Sequence, residues 1–300
     1  MEQNIFRYAA IDIGSNAVRL LLCNVIEDDG HLRLKKSELV RIPLRLGEEV
    51  FQNRRITSRK AELFIKTMHA FKLLIDVFDP ISYRACATAS LREAENGPEL
   101  IKQIRKETGL RIEIISGKQE AELIYSNHIE ELLDNKQSYL YIDVGGGSTE
   151  ITLFDKRVII ASRSFDIGAL RWLKGKVTKE SWEEMKQWVR FNTNGHSPLT
   201  AIGSGGNINK IFKMFDQREL PLEFSLLKEL YDEMKVHSVE ERMEIWQLNS
   251  DRADVIVPAA KIYLGIMKAA GIDEIIVPQI GLADGIVHQL HEQFVRNKVS

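Results

Sequence analysis

YIDVGGGSTEITL at 141–153 echoes AIDIGSNAVRLLL at 10–22, and Asp143 lies 131 residues after Asp12. In each copy an apolar run closes on an acid, a turn of small residues follows, and a second apolar run returns. The turns are Gly14, Ser15 and Asn16 in the first copy, and Gly145, Gly146, Gly147 and Ser148 in the second. An apolar strand that ends in Asp and glycines runs into a tight hairpin, because glycine tolerates positive φ and close backbone approach. Such a turn offers amide N–H groups to an anion, and its Asp can hold a hydrated divalent cation. Asp-x-Gly turns also occur in plain hairpins, but two copies in register favour phosphate binding. Two hairpins from two related halves predict a phosphate clamp across an interdomain cleft.

With 300 residues, 44 % of them hydrophobic, the chain has material for two domains of about 150 residues each. A formal net charge of −2 exerts no global pull toward nucleic acid or anionic membranes, so neither is expected as a partner. Arg41, Arg45, Arg54, Arg55, Arg59 and Lys60 form a local basic run that reads first as a solvated face and second as a polyanion track. Cys23 and Cys86 sit in apolar, strand-like runs and read as buried thiols of a reducing compartment. The amino terminus lacks a basic segment followed by an apolar core, and no apolar stretch approaches the ~20 residues that span a bilayer. A cytoplasmic protein is expected.

Residues 7–41 read as a β-meander with a turn at Asp28-Asp29-Gly30. Phe64, Met68, Phe71, Ile75 and Phe78 recur at steps of three and four, which predicts a helix over 58–78. Strands are expected at 81–88 and 111–116, a helix ending at Gly109, and another helix over 117–133. A second meander over 139–163 restarts the order. Ser181 with Glu184, and Ser238 with Glu241, have the spacing of capping boxes. Residues 199–212 read as strand, glycine turn and helix; Asp251 to Ala270 reads as a helix kinked at Pro258. A short strand at EIIVP, a turn at Gln279–Gly281 and a helix from Leu282 to Asn297 close the chain. Strands alternating with helices after each meander give two α/β domains with mixed sheets.

Six segments, AIDIGSNAVRLLL, CATASLREAEN (86–96), EIISGKQEAELIY (113–125), YIDVGGGSTEI, RADVIVPAA (252–260) and GLADG (281–285), carry a family resemblance. In order and spacing the chain resembles the exopolyphosphatase and guanosine pentaphosphate phosphohydrolase (Ppx/GppA) family. The resemblance implies an α/β fold of two duplicated actin-like ATPase (ribonuclease H-like) domains with an interdomain cleft. Domain I would take residues 1–125 plus about 282–300, with the first phosphate hairpin and the catalytic Glu. Domain II would take 126–281, with the second hairpin and the metal acids. Larger members append a helical region, and related proteins are often dimers, so the resemblance allows a homodimer that the sequence by itself does not reveal.

Transfer of a terminal phosphoryl group to water needs positioning, charge neutralisation and an oriented nucleophile more than covalent chemistry. The amides of Gly14, Ser15 and Asn16 and of Gly145, Gly146, Gly147 and Ser148 suit non-bridging oxygens, helped by the hydroxyls of Ser15, Ser148 and Thr149. Asp143, then Glu150 seven residues on, are the expected ligands of Mg2+, with Mn2+ as a substitute, because hard carboxylate oxygens suit both. Arg19 stands where the first copy has its equivalent of Glu150 and is suited to bidentate phosphate contact. Asp12 reads equally as a further metal acid or as the residue that fixes the turn. The resemblance implies that Glu120 is the general base; by itself the residue would read as a first-turn helix acid favoured by the dipole. It also implies a phosphate contact for Arg92, with Thr88 and Ser90 adding hydroxyls.

Four positions depart from the family pattern: Gln119 for an acid, Gly205 for Ser, Asn207 for Thr, and Ala283 for a common arginine. The expected activity is removal of terminal orthophosphate from inorganic polyphosphate by a water activated by Glu120. Its alternative is hydrolysis of the 5′ γ-phosphate of guanosine pentaphosphate (pppGpp). An ATP-dependent kinase would need an acceptor-alcohol site that the sequence does not display. A non-catalytic polyphosphate or nucleotide sensor is suggested by Gln119, Asn207 and Ala283 and opposed by Glu120, Asp143 and Glu150.

Overall fold

The computed structural model describes residues 4–28, 31–126, 137–215 and 221–299, which fall into two compact units. The first, Met1–Asn127 with Gly281–Ser300, is built on a five-stranded sheet. In it β1 (Asn4–Ile13), β2 (Val18–Asp28) and β3 (His31–Ile42) form the expected antiparallel meander. Asp29 and Gly30 of the expected turn lie outside the described residues. β4 (Ser82–Ala87) and β5 (Ile112–Ile114) run parallel to β1, giving the order β3-β2-β1-β4-β5. The carboxyl-terminal half of β1, from Tyr8 to Ile13, is wholly buried, as a central strand covered on both faces must be.

Five helices connect these strands: α1 (Leu46–Asn53), α2 (Ser58–Phe78), α3 (Ala89–Glu93), α4 (Gly97–Thr108) and α5 (Gly117–Tyr125). α2 buries Phe64, Met68, Phe71 and Ile75 of the expected stripe, while Phe78 at its end is half-buried. α4 stops at Gly109, whose φ of 75° is the left-handed cap that glycine adopts without a Cβ clash. The remainder of the helix expected through 133 lies outside the described residues.

The second unit, His128–Ile280, repeats this plan. β6 (Ser138–Val144), β7 (Thr149–Asp155) and β8 (Val158–Phe165) form the meander, and β9 (Leu199–Ser204) is parallel to β6. β10 (Leu222–Glu223) adds an antiparallel edge to β11 (Glu274–Ile276), itself parallel to β9. Without β10 the order β8-β7-β6-β9-β11 is the order of the first sheet, so the chain is a duplicated α/β protein of the actin-like, ribonuclease H-like class. The register repeats as well. Asp12 pairs with Arg19 on β2 and Cys86 on β4; Asp143 pairs with Glu150 on β7 and Ser204 on β9.

The helices of this unit are α6 (Ala169–Leu173), α7 (Lys179–Thr193), α8 (Gly206–Phe212), α9 (Phe224–Val236), α10 (Val239–Ile245), α11 (Ser250–Ala253) and α12 (Ile256–Ala270). A last helix, α13 (Leu282–Val299), returns to the first unit and packs on β1. The Ser238–Glu241 capping box forms as expected. Two local expectations are corrected. The cap of α7 is Thr178, three residues before Ser181, because Thr178 accepts the amide of Ser181 and Glu184 pairs instead with Arg163. Pro258 bends nothing: it lies in the first turn of α12, where a proline's missing N–H is not needed, and α11 is a separate short turn.

Thr178→Ala should therefore cost about 1 kcal/mol of stability, the usual value of a lost N-cap. Urea unfolding checks this, with Ser181→Ala as the smaller effect; the reverse ranking would restore the later start.

Candidate functional site

In open α/β sheets ligands gather at the carboxyl ends of the parallel strands, and the expected residues of the first unit lie at that edge of β1, β4 and β5. In the first turn Gly14 N–H donates to the Ala17 carbonyl at 3.1 Å. The carbonyls of Ser15 and Asn16 are held from behind by the amides of Gly47 (2.9 Å) and Arg45 (3.0 Å). A trans peptide points its N–H opposite to its C=O. Tethering these two carbonyls therefore aims the amides of Asn16 and Ala17 away from α1. Gly47 is required for this approach, since a Cβ on it would stand 2.8 Å from the Ser15 Cβ.

Asp12 is 6 % exposed and accepts a 2.6 Å ion-pair hydrogen bond from Arg19 Nη1, so Arg19 is engaged within its own hairpin. At the end of β4, Thr88 donates its amide to the Ile13 carbonyl at 3.1 Å and α3 begins. Ser90 is fully buried. Arg92, on α3, donates to the Ile115 carbonyl at 2.7 Å and places Nη1 4.0 Å from Glu120 Oε2. At the end of β5, Ser116 caps α5 in a box with Gln119, whose side-chain oxygen accepts the Ser116 amide at 2.9 Å. Glu120 follows, its side chain 12 % exposed. Burial pushes the Cys86 thiol up to about 12, and the carboxylates of Asp12 and Glu120 add to the rise. Both acids thus lie within electrostatic reach of one point on β4.

The second unit repeats the turn with different lining. Gly145 N–H donates to the Ser148 carbonyl at 2.9 Å, the counterpart of the Gly14 bond. The carbonyls of Gly145 and Gly146 are tethered by the amides of Ala169 (3.0 Å) and Leu170 (2.9 Å), and that of Gly147 by Arg171 Nε (2.7 Å). The amides of Gly146, Gly147 and Ser148 consequently point the opposite way. Thr149 is fully buried and gives its hydroxyl to the Ile167 carbonyl, which places it inside the frame.

Asp143 and Glu150 are direct register partners, hence on one face of the β6–β7 ladder with Cβ atoms about 5 Å apart. Glu150 is 2 % exposed and accepts a 2.8 Å bond from the Ser164 hydroxyl. Gly205 has φ 113°, and a Cβ there would sit 3.0 Å from Asp143 Oδ1. The glycine at this departure from the family pattern is therefore what admits the Asp143 carboxylate. Tyr263 accepts the Val144 amide at 3.2 Å and donates to the Ser204 carbonyl, tying β6 to β9. Burial holds its hydroxyl well above the usual tyrosine range, and Asp143 adds to the rise, so it stays neutral.

No group of three or more His, Cys, Asp or Glu side chains gathers at metal-binding distance among the described residues. Mg2+ is commonly held by one or two carboxylates plus water and phosphate, so the Asp143–Glu150 pair fits that ion. The basic run is answered locally: Glu48 lies 3.4 Å from Arg45 and 3.3 Å from Lys60, and Glu95 lies 3.7 Å from Arg54. Among the described residues no helix is long and apolar enough to cross a membrane. Sequence reasoning missed Gly168, Arg171 and Tyr263. The run Gly168-Ala-Leu-Arg171 directly after a strand was the available signal for the first two; nothing local marks Tyr263.

The Ppx/GppA phosphatase family model matches residues 27–294, and the chain belongs to that family. It is 29 % identical over 301 residues to a bifunctional 3-dehydroquinate synthase/phosphatase of Fusobacterium nucleatum, across 92 % of this chain. The chain spans 45 % of the length of that relative. Among solved structures it is similar to the Aquifex aeolicus Ppx/GppA family member (TM-score 0.75, 25 % identity, 97 % of this chain and 99 % of that one). It also resembles an exopolyphosphatase from Cytophaga hutchinsonii (TM-score 0.82, 23 % identity, 96 % and 98 % covered).

Gly168→Ala tests the tethered turn, because a Cβ there would stand 2.4 Å from the Gly146 carbonyl carbon and oxygen. A loss of about 1–3 kcal/mol in urea unfolding is expected; wild-type stability would show that the contact is slack.

Proposed function

We propose that this chain removes terminal orthophosphate from inorganic polyphosphate. The observation that carries the reading is Glu120 with Arg92 4.0 Å away, on the strand edge that also bears the tethered turn of Gly14, Ser15 and Asn16. A carboxylate, a cation and directed amides are what phosphoryl transfer to water requires. Family membership supports the same class of reaction.

In this reading the outward amides of each turn, Asn16 and Ala17 in the first unit and Gly146, Gly147 and Ser148 in the second, bind non-bridging phosphate oxygens with the hydroxyls of Ser15 and Ser148. The Gly14 and Gly145 amides, expected to do the same, are taken up inside their turns. Arg92 adds positive charge, and Arg19 adds its own while remaining paired with Asp12. Glu120 accepts the proton of the attacking water as the new O–P bond forms and the bridging P–O bond breaks. Orthophosphate and a chain shorter by one phosphate leave. Thr149 serves the frame through Ile167 rather than the substrate. Asp143 and Glu150 would hold Mg2+, or Mn2+ in its place, which when bound neutralises charge on phosphate oxygens.

Glu120→Gln is expected to lower phosphate release by roughly 10²–10⁴-fold, the usual contribution of a positioned base, with an unchanged circular-dichroism spectrum. Full activity in the folded variant would remove Glu120 from the mechanism. Initial rates on polyphosphates of several lengths should exceed the rate on pppGpp; the opposite order would assign the chain to the nucleotide reaction, and binding without turnover would make it a sensor.

A further inference from the structure

A pocket of about 940 Å³ opens among α7, α9 and α12 of the second unit, and nothing in the proposed reaction uses it. Each helix gives it one stripe at the spacing of a single face. On α7 the stripe is Trp182, Lys186 and Arg190; on α9 it is Phe224, Lys228 and Tyr231. α12 supplies Lys261 and Lys268 on either side of Gly265, whose missing Cβ seats the Trp182 ring: a Cβ there would lie 2.4 Å from it. The three aromatic rings are half-buried; Trp182 meets Trp172 edge-on at 4.8 Å and carries Lys186 at 5.7 Å, Tyr231 carries Lys235 at 5.4 Å, and Lys261 lies over Trp172 at 4.6 Å.

The charge is one-sided. Asp273 is the acid among the lining residues, against five cations. Lys186 is paired with Glu183 at 2.5 Å and Lys228 with Asp232. Arg190, Lys261 and Lys268 have no carboxylate at ion-pair distance among the described residues. Asp273 precedes β11, which runs parallel to β9. The pocket floor is therefore at the amino-terminal edge of these strands, whereas Gly205 and the Asp143 turn lie at their carboxyl ends.

We propose that this pocket binds a nucleoside polyphosphate. Aromatic rings stack on a base without demanding its identity, and ammonium and guanidinium groups answer the phosphates. Its volume lies within the ordinary range of small-molecule sites, ~300–1,000 Å³. A simple polyanion would use the cations alone.

Titration of the full chain with ATP, followed by tryptophan fluorescence and calorimetry, tests the assignment. Saturable binding is expected, with adenosine weaker by at least about tenfold. Arg190→Glu combined with Lys268→Glu should weaken ATP by a similar factor at unchanged thermal stability, and Phe224→Ala should weaken ATP without weakening tripolyphosphate. ATP binding indifferent to the paired charge reversal, or to Phe224→Ala, would overturn the proposal. Phe224, Arg190 and Lys268 lie outside the phosphate turns, so the effect of these variants on ATP binding is separable from the outcome for polyphosphate cleavage.

Discussion

Both turns owe their character to a backbone constraint: their carbonyls are taken up from behind. In the first unit the amides of Gly47 and Arg45 do this; in the second those of Ala169 and Leu170 do, joined by the Arg171 guanidinium. In each case the tether comes from the segment that follows the third strand of the meander. Because a peptide carries its N–H opposite its C=O, tying carbonyls to the scaffold commits consecutive amides to the other side. An anion-binding turn thus arises without a charged side chain. It needs glycine where chains come closest, at Gly47 in one unit and Gly168 in the other.

On this shared frame the two units place opposite electrostatics. Arg19 and Glu150 occupy the same register position, opposite Asp12 and Asp143. The first pair is an ion pair with Asp12 nearly buried, and removing Arg19 would leave a carboxylate without compensation. The second sets two acids side by side, the arrangement that costs stability in a cross-strand pair. Such a cost is tolerated where the rest of the structure over-determines the position. Here Ser164 donates to Glu150, while Tyr263 and Gly205 fit around the Asp143 strand end. The Mg2+ proposed above would offset this repulsion.

The hairpins, both meanders and the α2 stripe were legible in the sequence, because period-two and period-3.6 patterns are local and the duplicated Asp-x-Gly turn is a rare coincidence. The Ser238 cap and the Gly109 stop were readable for the same reason: each is satisfied within one turn of its own helix. Legibility failed where partners are distant in sequence. α1 begins at Leu46 after Arg45 in a left-handed conformation, with no side-chain cap to announce it. Arg171 and Tyr263 act on carbonyls and amides more than twenty positions away. Arg19 read as a phosphate ligand because an arginine beside a glycine turn looks available; only pairing across the ladder reveals that Asp12 holds it. Ser181 and Glu184 had cap spacing, but Thr178 offers the same hydroxyl one turn earlier, and the longer helix adds backbone hydrogen bonds.

The departures from the family pattern look different once placed. Gln119 is the third residue of α5 and closes its capping box through a carbonyl oxygen, a task an amide performs as well as an acid. Losing that acid therefore leaves the helix start, and with it the position of Glu120, intact. Gly205 lies where φ is positive and any Cβ would press on Asp143, so serine would be the strained choice in this backbone. Ala283 is nearly buried in the first turn of α13, and nothing in the structure explains Asn207. Of the three changes that suggested a non-catalytic sensor, Gln119 is thus accommodated by the geometry that positions Glu120.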